Sequence, residues 1–114
     1  MINDTTSLDA RTFHILVVLA AGALHGYAIR QEVEERTSGE IRLWPATLYG
    51  QLADLTQRGW IEETAAPAAE AEDGRGRRWY VLTAAGRATL AAEATRLEEL
   101  VRIARRRLEL GEAT

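Results

Sequence analysis

The chain holds no cysteine and no lysine in its 114 residues. Without cysteine it can form neither a disulfide framework nor a thiolate metal site, and the expected compartment is the reducing cytoplasm. Histidine is nearly absent too, with only His14 and His25. Neither has a carboxylate pair, a nucleophile or a phosphate-cradling loop near it in sequence, so no catalytic site, metal or cofactor is expected. Aromatic residues make up only 6%, so the core must come from Leu, Val, Ile and Ala. The longest apolar run, Ile15 to Ala23, is too short to span a bilayer. Met1-Ile2-Asn3-Asp4 places no basic region before an apolar one, so no secretory signal is expected.

What is present suits a globular fold. Hydrophobic residues reach 46%, and the length fits one domain or one domain with an appendage. The net charge of −3 runs against nucleic acid, whose binding domains are usually basic. The charge is unevenly spread, however. Glu62, Glu63, Glu70, Glu72 and Asp73 form an acidic block, which Arg75, Arg77 and Arg78 follow directly. Arg102, Arg105, Arg106 and Arg107 cluster further on, where Glu98, Glu99 and Glu109 balance them.

Residues 1–6 read as a disordered tail. Ser7 is a candidate cap for a helix from about Leu8 to Ala21. Phe13, Leu16, Val17 and Ala20 line one face of it, while Ile15, Val18 and Leu19 fill most of the rest. A helix apolar all round is buried on more than one side, which points to central packing or a subunit interface. A second helix runs from about His25-Gly26 to Thr37, and Ser38-Gly39 stops it. Glu40 to Leu43 reads as a short strand or an extended link.

The third helix has a hard start and a hard stop. Pro45 suits the first helical position, and Gly59 suits the left-handed residue just past the end. Leu48, Leu52 and Leu55 make a narrow apolar stripe. Thr47, Gln51 and Asp54 lie opposite, with Gly50 beside them. Such a helix fits a DNA major groove, and it also fits an ordinary surface. Next come two strand-like stretches, Trp60 to Thr64 and Arg77 to Leu82. Residues 65–76 form the long wing loop between them. Thr83 caps a last helix from Ala84 to about Leu110. Its Leu90, Ala94, Leu97, Val101, Ala104 and Leu108 alternate spacings of four and three, a heptad seam. The helix would be roughly 40 Å long, more than the domain needs to cover itself. The expected fold is mainly α with a small β-hairpin: a winged helix-turn-helix domain over 1–83, then a C-terminal dimerisation helix over 84–114.

Four linked pieces then resemble one family. His25-Gly26-Tyr27 with Ile29, Ala46-Thr47-Leu48-Tyr49, the pattern Leu52, Leu55, Gly59, Ile61, and the stretch Gly76 to Gly86 resemble signatures of the PadR-like transcriptional regulators. Ala46 stands where Gly is usual, Trp60 where an aliphatic is commoner, and the wing is rich in Ala and acid. The resemblance implies a homodimeric repressor of the short type, with one C-terminal helix and a pseudo-palindromic operator.

The DNA-binding candidates are Thr47, Gly50 and Gln51 for base edges and Tyr27, Tyr49, Arg42 and Arg58 for phosphates. Arg75, Arg77 and Arg78 are the candidates at the wing. For Gly50, close approach to DNA and close helix packing are equal explanations. The dimerisation candidates are Phe13, Leu16, Val17 and Ala20 with the seam Leu90, Ala94, Leu97, Val101, Ala104 and Leu108. The alternatives are a winged-helix protein-interaction module that does not bind specific DNA, or a sensor holding an unidentified small-molecule effector at the dimer interface. The last helix carries no aromatic residue, so a flat ligand would have nothing to stack on there.

Overall fold

The computed structural model describes residues 8–68 and 77–113. In chain order these form α1 (Ala10–Leu19), β1 (Leu24–His25), α2 (Gly26–Arg36), α3 (Pro45–Gln57), β2 (Ile61–Thr64), β3 (Trp79–Leu82) and α4 (Ala84–Ala113). The proposed Ser7 cap, the 1–6 tail and residues 69–76 of the wing lie outside the described residues. Asp9 caps α1, its carboxylate accepting from the Thr12 N–H at 2.8 Å.

Ile15, Leu16 and Leu19 of α1, Ile29 and Val33 of α2, and Leu48, Leu52 and Leu55 of α3 meet in one core with Leu43, Ile61, Tyr80 and Leu82. The narrow stripe on α3 is therefore what fixes that helix to its domain. The turn before it is held by Thr37. This hydroxyl donates to the Val33 carbonyl (2.9 Å) and accepts from the Ile41 N–H (3.0 Å). Glu40 to Leu43 is irregular rather than a strand, because Ser38 and Gly39 turn the chain through positive φ.

The sheet has three antiparallel strands in the order β1-β3-β2. β3 is central: it pairs Ile61↔Leu82 through Thr64↔Trp79 on one side and Leu24↔Tyr80 with His25↔Trp79 on the other. The two-residue β1 was missed in sequence, since so short a segment carries no period.

Gly59 takes φ +82°, as its place after α3 requires. Thr83 caps α4: its hydroxyl accepts from the Gly86 N–H (3.0 Å) and donates to the Gly59 carbonyl (2.6 Å). Gly86 is buried against β2's approach. A Cβ there would overlap the Trp60 carbonyl oxygen and sit 2.9 Å from its carbon. So the first turn of α4 packs on the chain just after α3. Leu90 packs on the core, and Glu93 is buried with Arg96 at 2.7 Å. A hydrogen bond from Arg96 holds the Glu93 carboxyl below the ordinary 4.5. The first turns of α4 thus pack on the winged-helix body.

Beyond those turns α4 projects. It has 30 residues, about 45 Å at 1.5 Å each, and it accounts for much of the molecule's 63 Å length. Leu100, Val101, Ile103, Leu108 and Leu110 are all 41% or more exposed.

Candidate nucleic-acid interface

The outer face of α3 is built by default. With Leu48, Leu52 and Leu55 turned inward, Ala46, Thr47, Gly50 and Asp54 point to solvent. A Cβ placed on Gly50 would meet nothing within 4 Å. Close helix packing therefore does not explain this glycine, and one of the two explanations is removed.

Gln51 is placed differently from its neighbours on the sequence-predicted face. It does not stand on the outer face with Thr47. It is half-buried, and its Nε2 donates to Thr12 Oγ1 of α1 at 3.2 Å. Its Oε1 is buried without a hydrogen-bond partner among the described residues. At 100° per residue, position 51 falls between the inward stripe and the outward face. A long polar side chain there can swing either way, and the buried Thr12 hydroxyl draws it in.

The second helix brings a different set together. His25 caps α2, its Nδ1 accepting from the Ala28 N–H at 3.1 Å. Its ring stacks with Tyr27 (centroids 6.4 Å apart) and meets Trp79 edge-on at 4.9 Å. Arg77 Nη1 approaches His25 Nε2 at 2.8 Å. A guanidinium only donates, and a neutral imidazole has a single accepting nitrogen. The cap and the Arg77 contact therefore compete for one lone pair. A Cβ on Gly26 would press on the Tyr49 ring, 2.9 Å from its Oη. The glycine after His25 thus makes room for the tyrosine after Leu48, and two sequence signatures become one contact. Tyr27 is 55% and Tyr49 49% exposed, Tyr27 with one ring face on His25 and Tyr49 with its hydroxyl end against Gly26.

The candidate arginines Arg42, Arg58 and Arg78 sit in ion pairs on exposed surface. Arg42 lies 3.6 Å from Glu34 and bonds the Gly39 carbonyl. Arg58 pairs with Asp54 at 3.0 Å and lies over the Trp60 ring at 5.1 Å. Arg78 is 3.7 Å from Glu63. Exposed pairs of this kind are worth under about 1 kcal/mol, so each is easily exchanged for a phosphate. Burial pushes the Tyr80 phenol above its ordinary 10.0, against a hydrogen bond from Arg78. Arg75 lies outside the described residues. Thr47, Gly50, Tyr27, Tyr49 and Arg77 thus gather on α3 and the α2 N-terminus. Arg42 and Arg58 flank the two ends of α3, and Arg78 stands on the strand side.

The dimerisation candidates divide as well. Leu16 is 0% exposed within its own domain's core, so it has no surface to offer a partner; this corrects its place among the interface residues. Phe13, Val17 and Ala20 are half-buried. Of the seam, Leu90 packs inward, Leu97 is half-buried, and Ala94, Val101, Ala104 and Leu108 are exposed.

Among the described residues, no group of three or more His, Asp or Glu could hold a metal ion. No helix among them is long and apolar enough to cross a membrane.

Three helices, a small antiparallel sheet with a wing and a projecting last helix define a winged helix-turn-helix protein. The family described as the transcriptional regulator PadR-like family matches residues 15–92. The chain belongs to the PadR-like family of transcriptional regulators. It is similar to a PadR family transcription regulator from Clostridium difficile, with TM-score 0.74 and 23% identity over 88% of this chain and 99% of that one. Bacillus subtilis PadR, solved in complex with operator DNA, matches with TM-score 0.61 and 24% identity over 75% of this chain and 46% of that one. An uncharacterized 37.1 kDa protein in transposon TN4556 of Streptomyces fradiae is 41% identical over 86 residues. That match takes in 75% of this chain and only 22% of that protein's length.

Proposed function

We propose that this chain is a homodimeric, sequence-specific DNA-binding repressor acting in the cytoplasm on a pseudo-palindromic operator. The open outer face of α3 carries the reading. It offers Thr47 for a base edge and Gly50 for close backbone approach, and nothing in the described chain covers it. Thr47 brings a hydroxyl and a thymine-directed methyl. Tyr27 and Tyr49 supply phosphate contacts from hydroxyls at the mouth of the α2–α3 pair. Arg42 and Arg58 add charge at either end of α3, and Arg75, Arg77 and Arg78 do so at the wing. Gln51 ties α3 to α1 and is not assigned a base. The operator complex of the Bacillus subtilis protein, which shares this fold, supports the same use of it here.

The exposed Val101 and Leu108 with Ala94, Leu97 and Ala104 form the seam through which two copies pair. Phe13, Val17 and Ala20 of α1 extend it. Pairing holds two copies of α3 at a fixed separation, so the operator half-sites fall about one helical turn apart.

A gel shift with the DNA upstream of the chain's own gene tests the reading. The expected result is a discrete complex that survives unrelated competitor DNA and weakens steeply with salt. Weak binding that competitor DNA abolishes would instead favour a winged-helix module that contacts protein.

A further inference from the structure

We infer that Trp44 is a DNA-positioning residue, its indole donating to a backbone phosphate and its ring lying on the adjoining sugar beside α3. The inference rests on the DNA-binding reading above. Trp44 is the N-cap of α3 and makes no side-chain cap bond. Ser, Thr, Asp or Asn at an N-cap stabilises a helix, and a large apolar residue forgoes that. Trp44 is also 58% exposed, so more than half of its apolar surface stays in water. Both features are locally unfavourable, and an outside partner would account for both.

The surroundings point to the kind of partner. Only Tyr27, Trp44 and Tyr49 among the described aromatic residues are exposed. All three sit at the N-terminal ends of α2 and α3. The Arg30 guanidinium lies 5.7 Å from the Trp44 ring centre and makes no ion pair among the described residues. Arg30 stands one helical turn after Tyr27 on α2, so Tyr27, Arg30 and Trp44 line one edge. An indole N–H with no partner among the described residues, set on a cation, presents a donor and positive charge together. Phosphate is the acceptor that uses both, and sugar is the surface on which a flat ring rests. The stacked Arg30 holds the indole in place before DNA arrives.

The contact is neutral and does not read bases, which sets its signature. Trp44→Ser supplies a capping hydroxyl and is expected to melt no lower than the parent. It should bind the shifted upstream fragment and an unrelated duplex of equal length about 10-fold more weakly, by similar factors. Its slope of log Kd against log salt should match the parent's, because no counterion-displacing charge is lost. Trp44→Phe keeps a ring without the N–H and should lose less than Trp44→Ser. The tryptophan emission change on adding DNA should be smaller in Trp44→Phe than in the parent, the rest coming from Trp60 beside Arg58 and Trp79 beside His25. Parent-like affinity in both variants, or an emission change in Trp44→Phe as large as the parent's, would overturn the assignment. A parent protein that binds neither duplex sinks the DNA-binding reading itself, a result distinct from failure at Trp44 alone.

Discussion

Replacing Gly86 by Ala sets two local effects against each other with opposite signs. Position 86 is inside α4, where Ala outranks Gly by about 1 kcal/mol; on propensity alone Gly86→Ala stabilises. Against this, the new methyl would overlap the Trp60 carbonyl oxygen and sit 3.1 Å from Leu82 Cδ2. The oxygen belongs to backbone and cannot swing aside. The first turn of α4 must retreat by about 1 Å to restore ordinary contact. That strains the Thr83 N–H bond to the Trp60 carbonyl (3.0 Å) and the Thr83 hydroxyl bond to Gly59 (2.6 Å). Each is worth about 1 kcal/mol net. Loosened packing around Leu82 and Ile61 adds about 1–2 kcal/mol. The net expectation is a loss of about 2–3 kcal/mol, a melting point lower by roughly 10 °C. Thermal and urea unfolding followed by circular dichroism, at fixed protein concentration, measures it. A Gly86→Ala protein as stable as the parent would show that this helix start is not seated on Trp60 as described.

Three other outcomes follow from the same geometry. Gly50→Ala meets open space, so it should raise stability by about 1 kcal/mol while weakening operator binding; a variant that is more stable and binds equally well removes the close-approach explanation. Gln51→Ala should cost about 1 kcal/mol or less through the lost Thr12 bond, with base preference unchanged in binding assays on altered operators; a shifted preference would restore Gln51 to the reading face. Val101→Glu with Leu108→Glu places charges on the exposed seam, and light scattering should then report monomer where the parent reports dimer.

Much of the fold was legible because its signals are local. Pro45, Gly59 and Thr83 mark element ends by backbone chemistry that needs no tertiary partner, and all three act in the expected way. Leu48, Leu52 and Leu55 followed from helical periodicity. What the sequence hid depends on distant neighbours. β1 exists only because Leu24 and His25 lie beside β3. Gln51 turns inward because Thr12, 39 positions away, offers a hydroxyl. Leu16 looks like the other members of an apolar α1 face, yet it alone of Phe13, Leu16, Val17 and Ala20 is sealed in the core. Trp44 carries no site signal in sequence, because a tryptophan in a winged-helix body is ordinarily core. Only its exposure and its stacking on Arg30 set it apart. Gly26 and Tyr49 belonged to separate signatures whose physical connection, a ring resting where a side chain would be, is visible only in three dimensions.

In the proposed dimer, two copies of α3, held apart by paired α4 helices, read two matching DNA half-sites. Selection of bound duplexes from a random-sequence pool is the sharpest test. One inverted repeat with half-site centres about 10 base pairs apart should be enriched, and that enrichment should be lost when Gly50 is replaced. A selected pool with no shared motif, or a single unrepeated site, would contradict it.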